Sequence, residues 1–295
     1  MSNPKHTPRL ALVQLVVGAT LISFSPVFVK IADVGPTTAG FYRTLFGGAV
    51  LLAVVLARGD RLWVGVRPFA LAALCGFLFA ADLSLWHRSI NHIGPGLATI
   101  AGNFQVFFLA AFGILVLREK TDWRYLLSIP LAIGGLFMLV GIRWSGLDPD
   151  FKRGVWYGIA TALAYASFLL VLQRSQTRTP RLGATANLCV ISLATAAVMG
   201  IEAKIQGESY AIPNSTTWSA LLSYGVLCQA AGWIIISRGL ARVEASRAGL
   251  ILLLQPTLAF VWDVVLFSRP TGATDVAGAV LALAAIYLGG SRKRK

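Results

Sequence analysis

The sequence is poor in charged residues, and the shortage extends along the whole chain. Asp, Glu, Lys and Arg make up 13% of its 295 residues, against about 25% in a typical soluble domain. Hydrophobic residues make up 56%, and the mean hydropathy is +0.71. Ten membrane-spanning helices of roughly 20 residues would need about 200 residues, which leaves no room for a separate soluble domain. The composition therefore indicates a protein whose solvent is lipid.

Cysteine and histidine are also scarce, with three of each. Cys75, Cys189 and Cys228 lie inside apolar runs without paired spacing, which argues against disulfides or a metal site. His87 and His92 are five residues apart and share no helical face, so we expect a surface or gate-edge position for them. Gly-rich phosphate loops, zinc-binding His pairs and Gly-x-Ser-x-Gly elbows are missing from the sequence. We predict that the protein is not an enzyme and uses no metal or cofactor.

Acidic residues are outnumbered by basic ones, 12 to 26, which gives a formal net charge of +14. On a soluble protein this excess would suggest nucleic-acid binding. Here the basic residues fall between apolar runs, where the positive-inside rule places them. We therefore expect no nucleic-acid partner and take the lipid bilayer as the surroundings.

Ten apolar segments predict ten membrane-spanning helices. They cover residues 10–31, 37–57, 68–88, 94–117, 123–142, 153–173, 182–201, 216–238, 246–267 and 273–290. With a cytoplasmic N-terminus, 18 of the 26 Lys and Arg residues fall on the cytoplasmic side, seven on the opposite side and Arg43 within the second segment. This bias favours an even number of spans, with both termini on the cytoplasmic face of a bacterial inner membrane.

An internal repeat divides the predicted bundle into two halves. A displacement of 150 residues places Leu85–Leu136 on Ile235–Ile286 without a gap. The aligned pairs include Arg88 with Arg238, Ala98 with Ala248, Gln105 with Gln255, Phe112 with Trp262, and Leu136 with Ile286. Five helices per half is an odd number, so the second half must enter the membrane inverted. We predict an all-α membrane protein made of two inverted five-helix repeats, residues 1–147 and 148–295, around a central cavity.

Three short motifs carry a resemblance to a known family. They are Phe41-Tyr42-Arg43 early in segment 2, the Leu-Arg-Glu-Lys run that ends at Lys120, and Leu254-Gln255-Pro256 in segment 9. In this order and spacing they resemble the drug/metabolite transporter superfamily, and its EamA-like branch in particular. Within that branch the chain is most similar to bacterial exporters of aromatic and other neutral amino acids. The resemblance implies export by alternating access, with segments 1–4 and 6–9 around the cavity and segments 5 and 10 peripheral.

One position departs from the pattern of that family. Related sequences often carry an acidic residue before the proline that corresponds to Pro256. Here the residue is Gln255, and its mate in the first half is Gln105. Neither position offers a carboxylate for a proton, which argues against proton coupling through this site and leaves the coupling ion undetermined.

Three charged residues lie well inside the predicted spans, namely Arg43, Asp82 and Asp263. Ionisable residues within a membrane are costly and are usually functional. All three would lie in the outer third of the bilayer. We expect Arg43 to pair with Asp82 or Asp263 in an outer gate, or to bind the charged ends of a zwitterionic substrate. The alternatives are a static ion pair that fixes helix packing, or side chains that reach the interface.

Polar and aromatic residues recur at helical spacing in the predicted spans, and rings of this kind can stack on a substrate. The substrate-binding candidates are Tyr42, Asp82, Trp86, Asn103, Gln105, Tyr157, Tyr165, Gln229, Trp233, Gln255 and Trp262. The competing interpretation is hydrogen bonding between helices. Pro26 and Pro256 are hinge candidates, since proline removes a backbone bond; tolerated kinks are the alternative.

Other functions remain open on the residues alone. A lipophilic or cationic drug exporter would use a membrane-embedded carboxylate, and Asp82 provides one. A nucleotide-sugar carrier would need several cationic groups for its phosphates, but only Arg43 and Lys30 are candidates. A channel is a further alternative to a carrier. The expected partner is a small-molecule substrate, and a homodimer is a possible assembly.

Overall fold

A computed structural model describes residues 8–105, 107–108, 111–112, 123–140, 148–177, 182–240 and 254–290. Across these ranges the regular structure is helical throughout. The helices are α1 (Pro8–Ser23), α2 (Ser25–Ile31), α3 (Pro36–Arg58), α4 (Val66–Ile93), α5 (Pro95–Gly102), α6 (Trp123–Val140), α7 (Pro149–Thr177), α8 (Ala184–Ile205), α9 (Ser215–Ser223), a π-helix (Tyr224–Gly232), α10 (Trp233–Leu240), α11 (Leu254–Phe267) and α12 (Ala273–Gly290).

Six helical stretches are long and apolar enough to cross a membrane. They are Leu10–Ile31, Pro36–Arg58, Val66–Ile93, Pro149–Leu172, Ala184–Ile205 and Ser215–Ile236. Leu254–Phe267 and Ala273–Ala285 are shorter apolar helices. The chain is therefore an all-helical, multi-pass membrane protein, and the count of ten spans stays a prediction.

The first predicted span is broken near its middle. α1 ends at Ser23 and α2 begins at Ser25, with Pro26 in the first turn of α2. Because proline has no backbone N–H, Pro26 cannot continue the helical ladder. The carbonyl of Leu21 accepts from the amide of Phe24 at 3.4 Å and from Sγ of Cys228 at 3.1 Å. The predicted hinge residue therefore sits at a helix break that a neighbouring span helps to satisfy.

The helices pack mainly across the two predicted halves. α3 lies against α8, α4 against α7, α5 against α11, and α6 against α12, while α1 packs on α10 and the π-helix. A cluster of apolar residues from α3, α4, α7 and α8 forms the largest core and includes Phe79 and Phe168. This core surrounds the buried polar residues described next.

Glycine allows a close approach where α3 crosses the π-helix. A Cβ atom at Gly47 would lie 2.5 Å from Cγ of Gln229 and 2.9 Å from the carbonyl oxygen of Gly225. A Cβ at Gly225 would in turn lie 2.9 Å from the amide of Gly47 and 3.0 Å from the carbonyl oxygen of Arg43. The two backbones are in contact here, and this contact brings the side chains of both elements to the same place.

Candidate functional site

Arg43 is the centre of a buried hydrogen-bond network that joins four helices. Its side chain on α3 is 4% exposed. Nε donates to Oε1 of Gln229 at 2.8 Å, and Nη1 donates to the Tyr224 hydroxyl at 2.8 Å. Gln229 continues the network by donating from Nε2 to Oγ of Ser192 on α8 at 3.0 Å. The guanidinium is thus held by neutral partners, which fix its position without neutralising its charge.

The π-helix explains why Tyr224 and Gln229 reach the same guanidinium. In an α-helix, residues five apart lie roughly 140° apart around the axis, because each residue turns the chain by about 100°. In a π-helix the backbone bonds run from residue i to i+5, so residues five apart share a face. Tyr224 is the first residue of the π-helix, and Gln229 lies within it, five residues later. Sequence reasoning based on the α-helical period selected Gln229 and missed Tyr224.

His87 completes the network on α4. Its side chain is 0% exposed, and Nε2 lies 3.0 Å from the Tyr224 hydroxyl. Since that oxygen accepts from Arg43, its own proton remains for His87, which makes Nε2 the acceptor. The expected surface or gate-edge position for His87 is wrong, because the side chain points into the bundle. Its position near the end of a predicted span gave no signal of this.

An aromatic cluster borders the network. Phe79 on α4 stacks on Phe168 of α7 with ring centroids 4.9 Å apart, and Phe168 stacks on Tyr165 at 5.7 Å. Trp233 on α10 meets Phe79 and Phe168 edge-on at 6.4 Å and 6.3 Å. The Arg43 guanidinium lies over the Phe79 ring, 5.4 Å from its centroid. We call Phe79, Tyr165, Phe168 and Trp233 the aromatic cluster; it includes two of the predicted substrate-binding residues.

Asp82 is the buried carboxylate nearest to this centre. It is 6% exposed and lies on α4, one turn after Phe79. It is within electrostatic range of Arg43 and of Tyr165. Among the described residues it receives no hydrogen bond and makes no ion pair. The predicted direct pair between Arg43 and Asp82 is therefore not formed in this conformation.

Asp263 has a different partner from the one predicted. Its Oδ2 accepts from Nη1 of Arg269 at 3.1 Å and from the backbone amide of Gly96, in the first turn of α5, at 3.0 Å. The same Nη1 donates to the carbonyl of Ile93 at 3.1 Å. The carboxylate thus joins the end of α11 to the start of α5. We call this arrangement the Asp263 tie; it places Asp263 apart from Arg43.

Two further carboxylates join helices at the same end of the molecule. Oε1 of Glu202 accepts from Nη2 of Arg88 at 2.6 Å and from Oγ of Ser84 at 2.7 Å, which links α8 to α4. Glu208 accepts from the amides of Thr37 and Thr38 at 3.3 Å and 2.8 Å, which caps the start of α3. A carboxylate is favourable at a helix start because the helix dipole is positive there. We call this side of the molecule the Glu202 end.

The other candidates fall into two groups. Trp86 and Tyr157 are half-buried. Trp86 lies beside His87 of the network, with ring centroids 5.4 Å apart, and Tyr157 lies beside His92, with ring centroids 5.8 Å apart. Asn103 donates to the carbonyl of Thr99 within its own chain segment, at 2.8 Å.

Of the remaining four candidates, two make contacts apart from Arg43, and for the other two only the burial is described. The Tyr42 hydroxyl donates to the carbonyl of Tyr210 at 2.6 Å, close to the Glu202 end. Trp262 stacks on Phe24 at 4.7 Å beside the break between α1 and α2. Gln255 and Gln105 are half-buried. The turn before Pro256 lies outside the described residues, so the predicted hinge there is untested.

Metal-binding clusters of three or more His, Cys, Asp or Glu side chains are absent from the part of the chain that the structure describes. Arg43, Asp82 and the aromatic cluster instead bring charged and apolar side chains together inside the bundle. Buried charges in a multi-pass helical bundle are typical of membrane transport proteins.

The chain belongs to the EamA-like transporter family, whose sequence profile matches residues 9–141 and again residues 152–289. This confirms the family resemblance carried by the three motifs. The family name and the names of the relatives indicate a transporter, a class that is generally not enzymatic.

Several curated relatives are similar over much of the chain. An uncharacterized transporter of Archaeoglobus fulgidus is 21% identical over 280 residues, 93% of this chain and 94% of that protein. A probable amino-acid metabolite efflux pump of Salmonella typhimurium is 25% identical over 199 residues, 65% of this chain and 66% of that protein. An uncharacterized transporter of Synechocystis is 28% identical over 200 residues, and the chain spans 59% of its length.

A solved crystal structure has the same fold. It superposes with a TM-score of 0.68 at 18% sequence identity and covers 94% of this chain and 95% of its own. At this identity the likeness concerns the arrangement of helices alone.

Proposed function

We propose that the protein is a secondary carrier of the bacterial inner membrane that exports small neutral metabolites, aromatic and other neutral amino acids first among them. The observation that carries the proposal is the buried Arg43 centre, with Asp82 and the aromatic cluster beside it. A neutral amino acid has one positive group, one negative group and a side chain. A site with a fixed cation, a fixed carboxylate and apolar rings has a complement for each part.

Two inverted halves are the architecture we propose for this carrier. The family profile matches the chain twice, once in residues 9–141 and once in 152–289. The helix packing has a matching symmetry. Segment 2 packs on segment 7, segment 4 on segment 9, and segment 5 on segment 10. Segment 3 packs on segment 6, and in the same way segment 8 packs on segment 1. Exchanging every segment for the one five places along leaves this set of pairs unchanged. Such an exchange supports ten spans related by a two-fold axis in the membrane plane.

Alternating access requires that the site open to one side at a time. The charge count of Lys and Arg would place the Glu202 end on the outside. There Glu202 and Asp263 each join separate helices, and Glu208 joins the loop after α8 to the start of α3, so this side is tied shut. We interpret the conformation as one closed toward the outside, in which a substrate would enter from the cytoplasm.

The direct test is transport by the purified protein in liposomes. Vesicles preloaded with unlabelled phenylalanine should take up labelled phenylalanine by saturable counterflow, with and without a pH gradient. A panel of aromatic, other neutral, acidic and basic amino acids then defines the range. Counterflow separates a carrier from a channel, which gives no exchange stimulation. Failure of all aromatic and neutral amino acids to exchange would refute the proposed substrate class.

A second candidate is export of lipophilic or cationic drugs, which Asp82 favours because a buried carboxylate attracts a cation. The same vesicles separate the two functions. Efflux of a lipophilic cation without exchange of any amino acid would favour the drug exporter.

A further inference from the structure

We propose that Asp82 binds the ammonium group of the substrate, so that primary aromatic amines without a carboxylate are also ligands of this site. This inference rests on the proposed function and adds a chemical rule to it. The positive group of the substrate is required for recognition, and the negative group is not.

The first argument is the state of the Asp82 carboxylate. Buried polar groups almost always have a hydrogen-bond partner, and a buried charge without one is strongly unfavourable. Asp82 is 94% buried, since 6% of its surface is exposed, yet no described residue donates to it. An ammonium group brings three donors and the opposite charge. It supplies what the carboxylate lacks.

The second argument is that Arg43 already donates hydrogen bonds to residues other than Asp82. Its Nε and Nη1 donate to Gln229 and Tyr224, and its guanidinium lies over the Tyr224 ring, 4.7 Å from the centroid. No bond from Arg43 reaches Asp82, although the two charges are close enough to interact. The glycine contact between α3 and the π-helix holds this geometry. The carboxylate is therefore left for a mobile cation, while Nη2 of Arg43 donates to no described residue.

The third argument comes from the surroundings of Asp82. Faces of aromatic rings attract cations. Phe79 lies one turn before Asp82 on α4, and Tyr165 is within electrostatic range of Asp82. Two further polar atoms, Nε1 of Trp233 and Oγ1 of Thr161, are buried without a partner among the described residues. Thr161 lies one turn before Tyr165 on α7. Trp233 belongs to the aromatic cluster and Thr161 adjoins it, so these unpartnered atoms are a second sign that a polar ligand belongs here.

The test compares three probes that share a phenyl ring. Phenylalanine has both charged groups, 2-phenylethylamine only the ammonium, and 3-phenylpropanoate only the carboxylate. In competition against labelled phenylalanine, we expect 2-phenylethylamine to inhibit within about tenfold of phenylalanine and 3-phenylpropanoate to inhibit at least tenfold more weakly. In Asp82→Asn the two single-charge probes should become similar. Asp82→Glu should keep the preference for the amine.

Asp150→Asn is the matched control, because Asp150 is an exposed acid that pairs with Arg153 at 3.3 Å. It should leave the order of the three probes unchanged. Folded yield and the melting temperature of each variant separate lost binding from lost structure.

A second measurement uses the unaltered protein, in case Asp82→Asn does not fold. A hydrophobic carbodiimide modifies carboxyl groups inside membranes, and peptide mass spectrometry reports the fraction modified at Asp82. Phenylalanine and 2-phenylethylamine should protect Asp82, and 3-phenylpropanoate should not. Equal protection by all three probes, or none by the amine while phenylalanine is still exchanged, would overturn the role of Asp82 and leave the proposed function standing. If the unaltered protein exchanges no amino acid at all, the proposed function itself fails.

Discussion

Tyr224 joins Arg43 to His87 through one oxygen atom, which gives its hydroxyl an effect beyond a single bond. Tyr224→Phe removes both contacts and leaves a buried guanidinium donor unpaired. Such a loss typically costs about 1–3 kcal/mol. We expect a clear fall in the melting temperature of the purified protein in detergent. Tyr287→Phe, in a half-exposed tyrosine on α12, should have almost no effect, and equal effects of the two changes would contradict the network.

The identity of several site residues could be predicted from the sequence. Arg43, Asp82 and Gln229 could be selected because charges and amides inside apolar segments are rare. Tyr165 and Trp233 could be selected because they recur at helical spacing with other polar residues. Their mutual arrangement could not, since the partners of a charge depend on how helices cross. Asp263 illustrates this limit: it was grouped with Arg43 by depth in the membrane, but Arg269, six residues along its own chain, lies closer.

At the scale of elements, the crossing of α3 and the π-helix controls the site. Gly47→Ala would force a methyl group against Gln229 and the backbone of Gly225, and overpacking of this kind costs about 1–3 kcal/mol. We expect weaker substrate exchange together with a lower melting temperature, because Gln229 must move away from Arg43. Gly134→Ala on α6 is the control.

The control position is roomy, since the nearest atom to a Cβ at Gly134 would be Cδ2 of Leu281 at 3.9 Å. Alanine also favours helix more than glycine does, so Gly134→Ala should be neutral or stabilising. Wild-type exchange in Gly47→Ala would show that the crossing does not set the geometry of the site.

Elements were predictable from the sequence to different degrees. Hydropathy located the long apolar helices within a few residues, for example 37–57 against Pro36–Arg58. The break after Ser23 was signalled by Pro26. The π-helix gave no such signal, because its residues are as apolar as those of an α-helical span.

For the whole molecule, the carboxylate ties at the Glu202 end should control which side is open. Asp263→Asn weakens the Asp263 tie, and Arg269→Gln removes its other member. In a background without native cysteines, Ala98→Cys on α5 serves as a reporter, since Ala98 is 0% exposed. Both changes should raise the rate at which a membrane-impermeant maleimide labels this cysteine. The labelling rate of the double variant should not exceed that of either single variant, because the effects of coupled residues are not additive.

The opposite charges of Arg43 and Asp82 also bear on electrical behaviour. An ionised Asp82 cancels the charge of Arg43, so that turning the site from one face of the bilayer to the other moves no net charge by itself. A zwitterion adds none, so its exchange should not respond to an imposed membrane voltage. A primary amine carries one positive charge, and each 100 mV is worth about 2.3 kcal/mol per charge. A potassium diffusion potential should therefore drive transport of the amine and leave phenylalanine exchange unchanged. The response to voltage then reports the net charge of the bound substrate.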